Sequence, residues 1–127
     1  MDLMLDRLRA IALGFPGAQE KLVVGNVAFF TRKVFAYYAM PYKEGGEIIH
    51  RPPSVGVLLP DDEREALLFE GRAHIPMYIG PSGWIGVLLD DSTDWEEIAE
   101  MLDDSFRLTA GKRLIQELDA DSDRVDD

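Results

Sequence analysis

Between Lys21 and Met40 the chain places three short runs rich in β-branched and aromatic residues, KLVV, VAFFT and VFAYYAM, with only Gly25-Asn26 and Arg32-Lys33 between them. A parallel neighbour needs a crossover of a dozen residues or more, whereas two residues suffice for a hairpin. The stretch therefore commits the chain to an antiparallel meander of three strands. Whatever else the chain forms must bury its apolar side against that sheet.

The other segments separate by period. Met4, Leu8, Ile11, Ala12 and Phe15 recur at helical spacing, and Gly14 with Pro16-Gly17 halts the pattern, which predicts a first helix over Leu3 to Leu13. PYKEGGEIIHRPP, with two glycines, three prolines and little periodicity, reads as a long loop, a brief strand at Ile48-Ile49 being an open alternative. SVGVLL resumes as a strand. DDEREALLFEG opens on acids that complement a helix N-terminus and stops at Gly71, a short second helix. HIPMYIG and GWIGVLLD flank Pro81-Ser82 and read as two strands joined by a tight turn. Thr93 and Glu96 form a capping box, after which Trp95, Ile98, Ala99, Leu102 and Phe106 share one face of a third helix. A last helical piece surrounds Leu114, Ile115 and Leu118. DADSDRVDD, residues 119–127, holds too little apolar material to order itself. The expected fold is α+β, one antiparallel sheet of five to six strands with helices packed on it, in a single domain over residues 1–118.

A chain of 127 residues suits one core that removes roughly two-thirds of the unfolded surface from water. No run of about 18 apolar residues occurs and the first fifteen residues mix acid and base, so neither a membrane span nor a signal peptide is expected. The absence of Cys removes disulfides, thiolate metal sites and cysteine nucleophiles together and fits a reducing compartment. A cytoplasmic location is the expectation. The net charge of −11 is uneven: residues 1–60 carry seven Lys/Arg against five Asp/Glu, residues 61–127 six against nineteen. Phosphate backbones are repelled at long range by such a chain, so any nucleic-acid contact must come from its first half.

FPGAQEK after the first helix, VAFFTRKVFAYYAM, GWIGVLLD and DDSFRLTAGKRL near the end resemble the MmcQ/YjbR-like family, over about Leu3 to Leu118. The resemblance implies a compact α+β domain similar to frataxin-like and secretion-chaperone-like folds. It also implies DNA binding, by likeness to double-winged domains, and brings no catalytic motif. The loop at Gly45-Gly46 is poor in Lys and Arg and the second half is acidic, both of which oppose the DNA-binding part.

Chemistry-bearing patterns are few. His50 and His74 are the only imidazoles and lack the helical spacing of a zinc motif. In DDSTDWEEIAEM a Trp replaces the glycine and a Met the final Glu of a calcium loop. GPSGW lacks both the second Gly spacing and the strand-to-helix context of a nucleophile elbow. No phosphate-cradling loop precedes a helix. Neither catalysis, a cofactor nor a metal is expected. Trp84 is expected to fill the core and Trp95 to anchor the third helix at the core edge. The leading expectation is a protein-interaction module in which Glu96, Glu97, Glu100, Asp103 and Asp104 on the third helix meet a basic partner. The alternative is weak nucleic-acid binding through hairpin tips, with Arg32, Lys33, Lys43 and Arg51 along one edge.

Overall fold

The structure is a computed structural model that describes residues 2–125, with side chains over 2–121. Its elements run α1 (Leu3–Ala12), β1 (Gln19–Val23), β2 (Asn26–Phe30), β3 (Val34–Tyr38), β4 (Tyr42–Glu44), β5 (Glu47–Ile49), β6 (Ser54–Leu58), α2 (Asp61–Phe69), a 3-10 turn (Gly80–Ser82), β7 (Trp84–Leu88), α3 (Trp95–Thr109) and α4 (Lys112–Val125). Five strands form one antiparallel sheet in the order β1-β2-β3-β6-β7, and β4-β5 is a separate hairpin. The meander is therefore real, and the expected α+β class holds.

The helices cover one face. Leu8 and Ala12 of α1 and Ile98, Leu102 and Phe106 of α3 meet Phe29, Val55, Val57, Ile85 and Val87 of the strands, all buried. Phe35 is the extra residue of a bulge: Phe29 pairs with Ala36 and Phe30 with Val34. The bulge lets Phe35 and Ala36 in succession contribute to the helix-side core. Phe35 then completes a ring triangle, edge-on to Phe106 at 5.4 Å and to Phe15 at 5.6 Å, while Phe15 stacks on Phe106 at 5.0 Å.

Beside this triangle the ladder between β3 and β6 stops. Tyr37 pairs with Gly56 and Tyr38 with Val55, and continuation of that register would oppose Phe35 to Leu58. Instead the Ser105 hydroxyl donates to the Phe35 carbonyl at 2.6 Å and accepts from the Leu58 amide at 3.0 Å. A helix side chain stands in for a strand-to-strand hydrogen bond, and Ser105 has no exposed surface.

The opposite face is covered by loops. Trp84 lies here and not in the main core: Ile85 and Val87 take the helix side, and alternation sends Trp84 to the other, where it meets Tyr37 edge-on at 5.0 Å beside Ala28 and Met40. It is only half-buried. Trp95 does sit at the core edge, with the Arg7 guanidinium 4.7 Å above its ring.

Five further expectations are corrected in whole or in part. The first turn is Val24-Gly25, one residue earlier than Gly25-Asn26, because the Asn26 amide is used elsewhere, donating to the Tyr38 and Ala39 carbonyls at 3.1 and 2.9 Å. In the loop over residues 41–53 the alternative of a brief strand at Ile48-Ile49 holds, as β5, and it pairs with β4 in a hairpin turned by Gly45 and Gly46 at φ 58° and 82°. HIPMYIG is not a strand; only His74 bridges to β7, exchanging two backbone bonds with Gly86, and a 3-10 turn replaces the tight turn. The cap of α3 is Asp94, which accepts from the Glu96 and Glu97 amides, while Thr93 accepts from the Asp90 amide. Finally, α4 continues past Leu118 to Val125, and Asp119 accepts from Arg107 at 2.8 Å. Residues 126–127 of the expected tail lie outside the described residues.

Candidate functional site

Acids gather where α2 and α3 run beside each other. Asp61, Asp62 and Glu63 fill the first turn of α2, where unpaired amides and the helix dipole favour negative charge. On α3 the buried stripe of Ile98, Met101, Leu102, Ser105 and Phe106 faces the sheet and leaves the acids at its margins. Glu97, Glu100 and Asp104 thereby line one open cleft of about 320 Å³ with Glu63 of α2, over an apolar floor of Leu59, Ala66, Leu67 and Met101. Loss of solvation along the cleft wall, then a hydrogen bond to Asp104 across the cleft, raises the exposed Glu63 carboxyl above its ordinary pKa. Two carboxyl groups that share a hydrogen bond hold a proton more tightly than either alone.

The five acids expected to form one face therefore part company. Glu97 lines the cleft but is also paired with Arg72. Asp103 is held by Arg107 at 2.6 Å. Glu96 is exposed and does not line the cleft. Glu100 and Asp104 remain cleft residues without a cationic partner among the described residues. Glu63 was missed, because an acid in the first turn of a helix already has a reason to be there.

The four cations are not brought together. Arg32 and Lys33 occupy the exposed β2-β3 turn, whereas Arg51 lines a cleft with Val24 and Gly25, the turn at the other end of β2. A five-residue strand separates these ends by roughly 17 Å. Lys43 stands on the β4-β5 hairpin opposite Ile48.

The two histidines differ. His50 is exposed, whereas the His74 ring stacks on Tyr42 at 3.9 Å and lies over Gly86, where a Cβ would collide with Nε2. That Nε2 is buried and has no hydrogen-bond partner. Burial lowers the His74 pKa below the ordinary 6.5. Below that value the unfolded chain takes up a proton that the folded ring resists, so stability falls as pH drops from about 6.5 through the lowered folded value. Denaturant unfolding of wild type and His74→Phe should show this loss in the wild type only; parallel curves between about pH 7 and 5 would refute it. Among the described residues no group of three or more His, Asp or Glu is placed to hold a metal ion, and no helix is long and apolar enough to cross a membrane.

The family model described as YjbR matches residues 13–108. No curated protein matches the chain. Among solved structures the chain is similar to the crystal structure of Deinococcus radiodurans DR2400, described as a DUF419 domain: identity is 18% over 82% of this chain and 76% of that one, with a TM-score of 0.58. That likeness concerns the fold.

Proposed function

This chain belongs to the YjbR family, and we propose that it acts by binding, without catalysis of its own, as a cytoplasmic protein-interaction domain whose contact surface is the cleft between α2 and α3. The observation that carries this reading is the combination of an apolar floor with four carboxylates from two helices around it. A basic amphipathic segment satisfies both parts: its apolar side chains cover Leu59, Ala66, Leu67 and Met101, and its Lys or Arg groups relieve the crowding of Glu63 and Asp104. Phe69, near the C-terminal end of α2 and 94% exposed, offers an apolar anchor beyond the cleft. Nucleic-acid binding is the weaker reading, since Arg32 and Lys33 stand apart from Arg51 and the net charge opposes phosphate.

Titration with an amphipathic Lys/Leu peptide, followed by calorimetry at low and physiological salt, tests the reading. Binding should weaken about tenfold or more in the triple variant Glu63→Gln, Glu100→Gln, Asp104→Asn, and remain unchanged in Glu117→Gln on α4. Equal binding by the triple variant and wild type removes the cleft from consideration. Random duplex DNA should bind with a dissociation constant weaker than about 100 μM at physiological salt. Submicromolar DNA binding lost in the pair Arg32→Ala, Lys33→Ala would give the function to the β2-β3 turn instead.

A further inference from the structure

Four non-glycine residues among those described have positive φ: Val24 at 49°, Ala39 at 58°, Arg51 at 49° and Tyr78 at 70°. Each position is unfavourable, Val24 because a β-branched residue is a true outlier there and Arg51 because Pro52 follows it. They come from four separate connections: the β1-β2 turn, the exit from β3, the segment between β5 and β6, and the loop before the 3-10 turn. All four line one cleft of about 200 Å³. Left-handed residues scattered by chance through a chain have no reason to meet, and strain of this kind gathers where a ligand is clamped.

The frame of the cleft is fixed without help from its exposed side chains. Asn26 ties down the carbonyls of residues 38 and 39, the Ala39 amide donates to Ser54, and the Met77 amide donates to Pro41. The Arg51 guanidinium, the His50 imidazole and the Tyr78 ring are left to the solvent side, and none has a hydrogen bond, ion pair or ring partner among the described residues. Arg51 makes no ion pair, and the carboxylate that shares a neighbouring cleft with it, Asp2, is engaged by the Tyr38 hydroxyl and the Leu5 amide. Tyr78 is 71% exposed and Val24 85% exposed, and Met40 and Pro41 add apolar wall.

We propose that this cleft binds a small organic anion, with the anionic head on Arg51 beside His50 and a planar or apolar body against Tyr78, Met40 and Pro41. Guanidinium recognises carboxylate and phosphate by the same two-pronged hydrogen bonding, so the head chemistry is shared between them. The volume limits the occupant to a compact molecule.

The test is a backbone-amide NMR titration of the whole chain with benzoate, phenyl phosphate and inorganic phosphate. Saturable shifts at Gly25, Asn26, Ala39 and Arg51 are expected with benzoate or phenyl phosphate, at a dissociation constant of about 1 mM or tighter, and much weaker ones with inorganic phosphate. Arg51→Gly and Tyr78→Gly should each weaken the bound probe about tenfold or more and, because glycine accepts positive φ freely, raise the melting temperature by about 2 to 5 °C. A variant that is more stable and binds less separates clamping strain from damage to the fold. No saturable shift with either aromatic probe, undiminished binding in Arg51→Gly, or an equal response to inorganic phosphate would overturn the proposal.

Discussion

Phe106→Ala is expected to lower the unfolding free energy by about 3 to 5 kcal/mol, the cost of removing a buried ring together with the cavity it leaves. Phe106 is completely buried and touches two other rings, Phe15 and Phe35, so its loss opens the triangle that fastens α3 and the chain after α1 to the bulge of β3. The neighbours cannot simply collapse into the gap, since Phe35 is held by the bulge and Phe15 by the turn that follows α1. In urea the midpoint should fall with the slope unchanged, the sign that stability and not the extent of unfolding has altered. A loss under about 1.5 kcal/mol would mean that the site repacks and the triangle is not a fixed feature.

Ser105→Ala is expected to cost about 2 to 4 kcal/mol, although alanine is the better helix former by a few tenths. Propensity and burial thus predict opposite signs. The substitution takes the hydroxyl from between the buried Phe35 carbonyl and the half-buried Leu58 amide and leaves both without that partner. Thr109→Ala on the same helix is the control: its hydroxyl bonds back to carbonyls of its own helix at Ser105 and Phe106, so its loss should cost under about 1 kcal/mol. Equal effects at the two positions would show that β3 and β6 close their ladder without Ser105.

Much of the frame was legible in the residues. The meander is legible because connections of two and three residues leave no other geometry, and α3 is legible because Ile98, Leu102 and Phe106 keep strict period. Ser105 was not, because a serine within an apolar stripe looks like a tolerated small residue unless the bulge opposite is known. The Val24-Gly25 turn was misplaced because Gly25-Asn26 has equally good turn chemistry; only the distant carbonyls of Tyr38 and Ala39 decide between them. HIPMYIG has strand composition, but Pro76 cannot donate and the segment spends its polar groups on Pro41, Tyr42 and Gly86. Of the candidate faces, period alone put Glu97, Glu100 and Asp104 side by side. Neither the contribution of Glu63 nor the separation of Arg32 from Arg51 has a local signature, since both depend on which helices and loops become neighbours.

The path of the chain between β3 and β6 bears on how such a domain diversifies. The two strands are direct neighbours in the sheet, yet the chain leaves at Tyr38, builds the β4-β5 hairpin and returns at Ser54. The segment from Ala73 to Gly83 is a second excursion of this kind, tied to the first through Tyr42, Pro76 and Pro41. Insertions and replacements in either excursion leave strand register and the helix-side core untouched, and lengthening a surface loop carries only a small entropic penalty. Descendants of one ancestral frame can therefore exchange the lining of the cleft around Arg51 and Tyr78 while inheriting the same sheet.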